Sequence, residues 1–303
     1  MTKWMLDDAV NGNIYLAARN REVKWTYHIG NKEVGLRRTR ISWHGDVRTW
    51  LRMLDADHRA TDMYMSTNII DWTAMPELPP QLKIPGIGYN KSGLERYKER
   101  WDSLLTPADC KKQGLDFNKI WLGKNMVWDF DHPELDKAFE WALAVYNYLQ
   151  DELGLNPQIV FSGNKGFHVW LNHKQSAALA GTTLEKLSAN DDDPLRTLGK
   201  IYAKKVKEIT FEATGELHRS LDLSPNYRQG IIRIPYSINS SSGQIVWPLS
   251  QQDIDNLQEL RVWSPNLISK TLHPKQWRES WCGKTTIRSP AAGLLGRNLS
   301  SFD

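Results

Sequence analysis

Apolar residues follow two distinct rhythms between Asn125 and Leu171. Met126-Val127-Trp128-Asp129-Phe130 is a short apolar and aromatic run, which predicts a strand. Leu135, Phe139, Ala142, Val145, Tyr146, Leu149 and Leu153 then recur at three- and four-residue steps, predicting an amphipathic helix of about five turns. Pro133 suits the first turn, where a missing N–H has no partner to lose, and Gly154 and Pro157 end the helix. Ile159-Val160-Phe161 predicts a second strand, Ser162 to Gly166 a tight turn, and Phe167 to Leu171 a third strand. Farther on, Gly230 to Ile234 predicts a strand leading into Pro235-Tyr236-Ser237, with Gln244 to Val246 as its partner across a Ser/Gly turn at Ser240 to Gly243. Pro76 to Gly86 and Ala189 to Pro194 are loops by composition, and the aspartates of the second read as a solvated turn. Strands alternating with helices imply an α/β or α+β domain, helices packed on a mixed sheet. With no internal repeat or low-complexity tract, residues 1–303 read as a single domain, with a small helical insertion at about 93–120.

Composition narrows the class. Forty per cent of the 303 residues are apolar, but no stretch reaches the roughly 20 uncharged apolar residues of a membrane span. The N-terminus lacks a signal-peptide pattern, so the expected setting is a soluble protein inside the cell. Cys110 and Cys282 are too few for a disulfide framework, and no C-x-x-C pair suggests zinc. Net charge is +4, and its distribution says more. Arg19, Arg21, Lys24, Lys32, Arg37, Arg38 and Arg40 face only Glu22 and Glu33, and residues 261–303 are similarly basic, with Trp263, Trp277 and Trp281 interleaved. Bases beside flat rings suit the phosphates and stacked bases of single-stranded nucleic acid, although tryptophan is equally a core residue.

Three clusters carry candidate chemistry. Asp129 and Asp131 stand two apart on the first strand, so both carboxylates share one face. Like charges this close are unfavourable without a cation, and a pair of divalent ions is the arrangement that assists phosphoryl transfer. The same pair also fits a glycosidase or a capping loop. In Ser162-Gly163-Asn164-Lys165-Gly166-Phe167-His168, two glycines permit a sharp turn, while Ser162, Lys165 and His168 add donors suited to a triphosphate. The Walker spacing is absent, and a strand follows the turn instead of a helix. The alternative is an ordinary hairpin turn. The third cluster is Asp222 between Leu221 and Leu223, followed by Arg233 in an apolar strand, where an unpaired charge is expensive and must meet a carboxylate or a substrate phosphate.

In this order the segments resemble the catalytic subunit of archaeal and eukaryotic DNA primases and the wider primase-polymerase superfamily. Val127-Trp128-Asp129-Phe130-Asp131 is similar to the family's strand ending in D-x-D. Phe161 to Trp170 is similar to its S-G-x-[RK]-G-x-H-x-W motif. Leu221-Asp222 with Arg233-Ile234-Pro235-Tyr236-Ser237 and Ser242-Gly243 is similar to its third motif, and Arg21-Glu22 to an R-E stretch near its N-terminus. The resemblance implies an α+β fold, a mixed-sheet catalytic core with an RRM-like half flanked by helices. It implies Asp129, Asp131 and Asp222 as catalytic ligands of two Mg²⁺ or Mn²⁺ ions. Ser162, Gly163, Lys165, Gly166, His168, Arg233, Arg21 and Asn239 would contact nucleotide.

The activity implied is primer synthesis from nucleoside triphosphates on a single-stranded DNA template, with strand extension as a further capacity. A gap-filling repair polymerase of the same superfamily and a non-catalytic single-strand-binding module are the alternatives. A metal-dependent nuclease fits the aspartates but leaves the Ser162 to Gly166 turn without a purpose. Asn239 stands where the family usually has histidine, and the missing cysteine cluster argues against structural zinc. A primase large subunit or a helicase is the kind of protein partner implied. The setting would be the cytoplasm of an archaeal, virus- or plasmid-bearing cell, or a eukaryotic nucleus.

Overall fold

The computed structural model describes residues 8–18, 20–29, 32–40, 60–71, 74 and 106–260. The expected loop at Pro76 to Gly86, Cys282 and the basic segment 261–303 lie outside these residues. Helix α1 (Asp8–Ala18) precedes strands β1 (Glu22–Ile29), β2 (Lys32–Arg40), β3 (Ala60–Ser66) and β4 (Asn68–Ile70). Two short helices, α2 (Pro107–Lys112) and α3 (Phe117–Ile120), fall within the stretch expected as a helical insertion. Strands β5 (Trp121–Lys124) and β6 (Met126–Asp131) lead to helix α4 (Leu135–Asn147), then β7 (Gln158–Phe161) and β8 (Gly166–Leu171). Helices α5 (His173–Ala180), α6 (Leu184–Ser188) and α7 (Pro194–Thr214) follow, then β9 (Leu221–Asp222), β10 (Ile231–Arg233), β11 (Trp247–Pro248) and α8 (Gln251–Leu260).

Two sheets organise these elements. One has the order β10-β3-β1-β2, the other β11-β7-β8-β6-β9, and β4 pairs with β5. The class is α+β, but every described pairing is antiparallel, where a mixed sheet was expected. The reason is local: β8 folds back from β7 through the Ser162 turn and inserts between β6 and β7. The succession β6-α4-β7-β8-α7-β9 with order β9-β6-β8-β7 is the split βαβ arrangement of an RRM-like unit.

Alternation along β6 divides its residues between two environments. Trp128 and Phe130, fully buried, lie under the helices: Trp128 Nε1 donates to Val206 O of α7 at 3.1 Å, and the Phe130 ring meets Trp141 of α4. Asp129 and Asp131 therefore share the opposite face. Because β9 is only two residues long, Asn226 completes the edge of β6, its side chain accepting from Val127 N (2.9 Å) and donating to Val127 O (2.6 Å). Lys124, fully buried, donates to Thr67 Oγ1, Asn68 Oδ1 and Tyr227 O at 2.6, 3.1 and 2.8 Å, tying β4 and β5 to the segment after β9.

Three expectations are corrected in detail. The helix after β6 starts at Leu135 with Glu134 as its N-cap, so Pro133 precedes it. Its last turn, Tyr148–Glu152, widens to π geometry before Gly154 turns the chain at φ 62°. Strand β10 pairs with β3, at the edge of the β10-β3-β1-β2 sheet, not with Gln244 to Val246. Pro235 has no N–H and Tyr236 adopts φ 68°, which ends the strand. The chain then turns so that Tyr236 to Asn239 bonds residues 244–246 instead: Tyr236 N donates to Val246 O at 2.7 Å and Asn239 N to Gln244 O at 2.8 Å. Asp193, from the aspartate run, caps α7 through Arg196 N. No described helix is long and apolar enough to cross a membrane.

Candidate active site

Strand register builds the acidic edge. Asp129 on β6 lies opposite His168 on β8 and opposite Asp222 on β9, and Asp131 lies opposite Gly166. The Asp129 side chain is 15 % exposed, and its Oδ1, 3.4 Å from His168 Nε2, has no hydrogen-bond partner among the described residues. Burial raises the Asp129 carboxyl well above the usual range. The charges of Asp131 and Asp222 add to the rise, while Arg233 and Lys165 oppose it. His168, also buried, is pushed down to about 3 by desolvation and by Arg233, so its imidazole is neutral near pH 7. Its Nδ1 likewise lacks a partner among the described residues.

Asp131 and Lys165 are more open, with Lys165 Nζ 3.4 Å from Asp131 Oδ2. Asp222 is turned onto its own strand end, accepting from Ser224 N at 2.8 Å and Ser224 Oγ at 2.7 Å. Among the described residues, no three His, Cys, Asp or Glu side chains form a ready-made cation cage. What the edge does hold is three carboxylates on adjacent ladder positions, one with a buried, unsatisfied oxygen. That arrangement is costly without a cation and chemically suited to one.

The turn between β7 and β8 is tightly specified. Ser162 N donates to Gly166 O at 2.9 Å, and Gly166 N donates back to Ser162 Oγ at 3.2 Å. Gly163 sits at φ 81°. At Gly166 a Cβ would collide with the Phe130 carbonyl and the Asp131 carboxylate, so only glycine allows this approach to β6. The Gly166 N–H is thus engaged within the turn, leaving Ser162 Oγ–H, Lys165 Nζ and the rim of His168 as its donors toward a ligand.

Residues 239–243 buttress that turn. Asn239 Nδ2 donates to Ser162 O at 3.3 Å, its Oδ1 accepts from Ser241 N at 3.0 Å, and Ser242 Oγ donates to Gly163 O. Asn239, expected to contact nucleotide, has both ends of its amide engaged in supporting the loop. Arg233, on β10, forms an ion pair with Asp62 of β3 and lies over the Tyr64 ring, 5.0 Å from its centroid. Of the two partners expected for Arg233, the carboxylate is present, while its charge reaches Asp129 and His168.

Arg21 is not brought to this cluster. It is buried, and Nη1 donates to Ser66 O at 2.9 Å. Neighbouring Thr67 O accepts from Asn125 N, at the end of β6 remote from Asp131. Sequence reasoning missed Asp62, Asn226 and Ser240. Alternation in Ala60-Thr61-Asp62-Met63-Tyr64-Met65-Ser66, with buried Met63 and Met65, could have marked Asp62 as a polar residue facing something specific.

No family model matches the chain. Among curated proteins it is similar to the DNA primase small subunit PriS of Pyrobaculum islandicum, 31% identical over 172 residues, which cover 45% of this chain and 55% of that protein. It is 29% identical over 195 residues to PriS of Pyrobaculum calidifontis, covering 53% and 59%. To PriS of Sulfurisphaera tokodaii it is 26% identical over 121 residues, covering 36% and 35%. The chain therefore spans little more than half the length of the two Pyrobaculum relatives. Among solved structures, the polymerase domain of Mycobacterium tuberculosis ligase D in complex with DNA aligns at TM-score 0.47 and 14% identity, covering 84% of this chain and 83% of that one. Over these aligned stretches the chain is similar to archaeal DNA primase small subunits.

Proposed function

We propose that this chain is a template-directed nucleotidyltransferase that joins nucleotides on single-stranded DNA, as a primase and extending polymerase. One observation carries the reading: Asp129, with a buried and unsatisfied Oδ1, is registered between Asp222 and His168, beside the Ser162 to Gly166 turn. Homology to primase small subunits supports it independently of geometry.

Asp129, Asp131 and Asp222 would hold two divalent cations, Mg²⁺ or Mn²⁺, with Asp222 rotating away from Ser224 to join them. Such ions activate a 3′-hydroxyl and neutralise charge on the triphosphate. The chain's own groups do the rest. Lys165, released from Asp131, would place its ammonium on a phosphate, and Ser162 Oγ would donate a hydrogen bond beside it. Neutral His168 would donate one N–H without bringing a second positive charge. Arg233, paired to Asp62, adds fixed positive potential across the cleft. Donors already aimed at where charge develops lower the barrier without reorganisation.

Single-stranded template, nucleoside triphosphates and a large-subunit or helicase partner follow from this reading. Unprimed single-stranded DNA with labelled ribo- or deoxynucleotides, resolved on a sizing gel, tests it. Short products are expected without primer. Products only from a pre-annealed primer would assign a gap-filling polymerase instead, and none from either template would reject nucleotidyl transfer.

A further inference from the structure

Asp62 is 6 % exposed in the middle of β3, and sequence patterning gives it no catalytic role. Its carboxylate is nevertheless the meeting point of three donors. Arg233 Nη1 reaches Oδ1 from β10. Ser240 N donates to the same oxygen at 3.0 Å, and Ser240 Oγ donates to Oδ2 at 2.8 Å. A buried carboxylate saturated in this way is held rigidly, because each donor lost would leave charge uncompensated.

Ser240 belongs to the 239–243 loop, and that loop's other side grips the β7–β8 turn. Asn239 Nδ2 donates to Ser162 O, and Ser242 Oγ donates to Gly163 O. The fit leaves no slack: a Cβ at Gly163 would stand 2.9 Å from the Asn239 Cβ. The loop's own hydrogen bonds, Gly243 N to Asn239 O at 2.8 Å and Ser241 N to Asn239 Oδ1 at 3.0 Å, make it stiff enough to transmit position. A continuous path therefore runs from β3 in one sheet, through Asp62 and Ser240, to Ser162 and Gly163 in the other.

We propose that Asp62 is the positioning residue of the nucleotide site, fixing in one carboxylate both the Arg233 guanidinium and, through the 239–243 loop, the Ser162 to Gly166 turn. It touches no substrate. It sets the spacing between two groups of phosphate donors that come from different sheets. This explains why Asn239 stands where a direct donor was expected: its amide is the far end of the strut. The inference rests on the proposed reading of the turn as phosphate-holding, but its structural half can be tested alone.

The test uses the full chain and two variants. Asp62→Asn keeps the shape and removes the charge. Ser240→Ala removes only the Oγ bond, leaves the Arg233 pair, and serves if the first variant folds poorly. Amide hydrogen exchange across 159–168 reads the turn, with α7 as an internal control. Both variants should lose protection at 162–166 while α7 is unchanged, although position 62 is far away in sequence. Binding of a nucleoside triphosphate with Mn²⁺ is then titrated. Asp62→Asn should weaken it about tenfold, the effect of losing a charge-assisted contact, and Ser240→Ala less. Primer synthesis should show this in nucleotide KM more than in kcat. Unchanged protection at 162–166 in both variants would overturn the strut whatever the binding result. Parental chain that binds no nucleotide would instead reject the functional reading, and the exchange data would still decide the strut.

Discussion

Replacing Asp129 by asparagine should make the protein more stable and inactive. Asp129 is largely enclosed, one carboxylate oxygen is buried without a partner among the described residues, and Asp131 and Asp222 are its nearest like charges. A like charge opposite in a ladder costs about 0.2–1 kcal/mol, and an unsatisfied buried oxygen about 1–3 kcal/mol. Asparagine removes the repulsion entirely and part of the desolvation cost, so a gain of about 1–2 kcal/mol is expected with chelator present. For a chain of 303 residues that raises Tm by about 1.5–3 °C. Because the folded-state pKa is raised, the native chain binds more protons than the unfolded chain above the ordinary carboxylate value. The parent's stability therefore falls as pH rises through that window, and the variant's does not. The gap between them should widen from pH 4 upward, followed by circular dichroism in EDTA. Saturating Mn²⁺ should close it by stabilising the parent alone. A variant less stable than the parent in EDTA, at every pH, would refute the view that Asp129 is kept at a cost for a cation.

Other perturbations follow from the same geometry. Gly166→Ala drives a methyl group into the Phe130 carbonyl and should cost about 3 kcal/mol by urea unfolding; a loss under about 1 kcal/mol would show that the β6–β8 contact is looser than described. Lys124→Met strands three acceptors and should cost about 3 kcal/mol in the same assay, whereas a neutral result would mean the buried ammonium contributes nothing. His168 and His173 are pushed down to about 3 and about 4, chiefly by burial, so the native chain binds fewer protons than the unfolded chain below pH 6.5. Stability is then lost as pH falls through that window, by at most about 1.4 kcal/mol per pH unit per group, and His173→Gln should flatten the slope of the urea midpoint between pH 6.5 and 4.

Much of the edge was legible in the chain because period-two alternation ties identity to face. Trp128 and Phe130 against Asp129 and Asp131 could be sorted without a structure, and the Ser162 to Gly166 turn announced itself through its glycines. What period cannot give is pairing. The partner of β10 is β3, some 170 residues away in sequence, and nothing local in Ile231-Ile232-Arg233 names it. For the same reason Arg233 could be assigned an anion but not Asp62. Arg21 shows the same limit, because a basic residue next to an aromatic-rich strand has the same local pattern whether it faces a phosphate or donates, as Arg21 does, to the Ser66 carbonyl. Asn226 was invisible because its function is to imitate a strand, a role no periodicity records.

The central claim is that the three carboxylates on β6 and β9 are the seat of nucleotidyl transfer. Its most direct test is primer synthesis on unprimed single-stranded DNA with Mn²⁺, comparing the parent with Asp129→Asn, Asp131→Asn and Asp222→Asn, each first shown to be folded. The parent should give template-dependent product and each variant should lose at least about a hundredfold, the loss of an aligned charge-stabilising group. Synthesis by the parent that persists at full rate in all three folded variants would contradict the account.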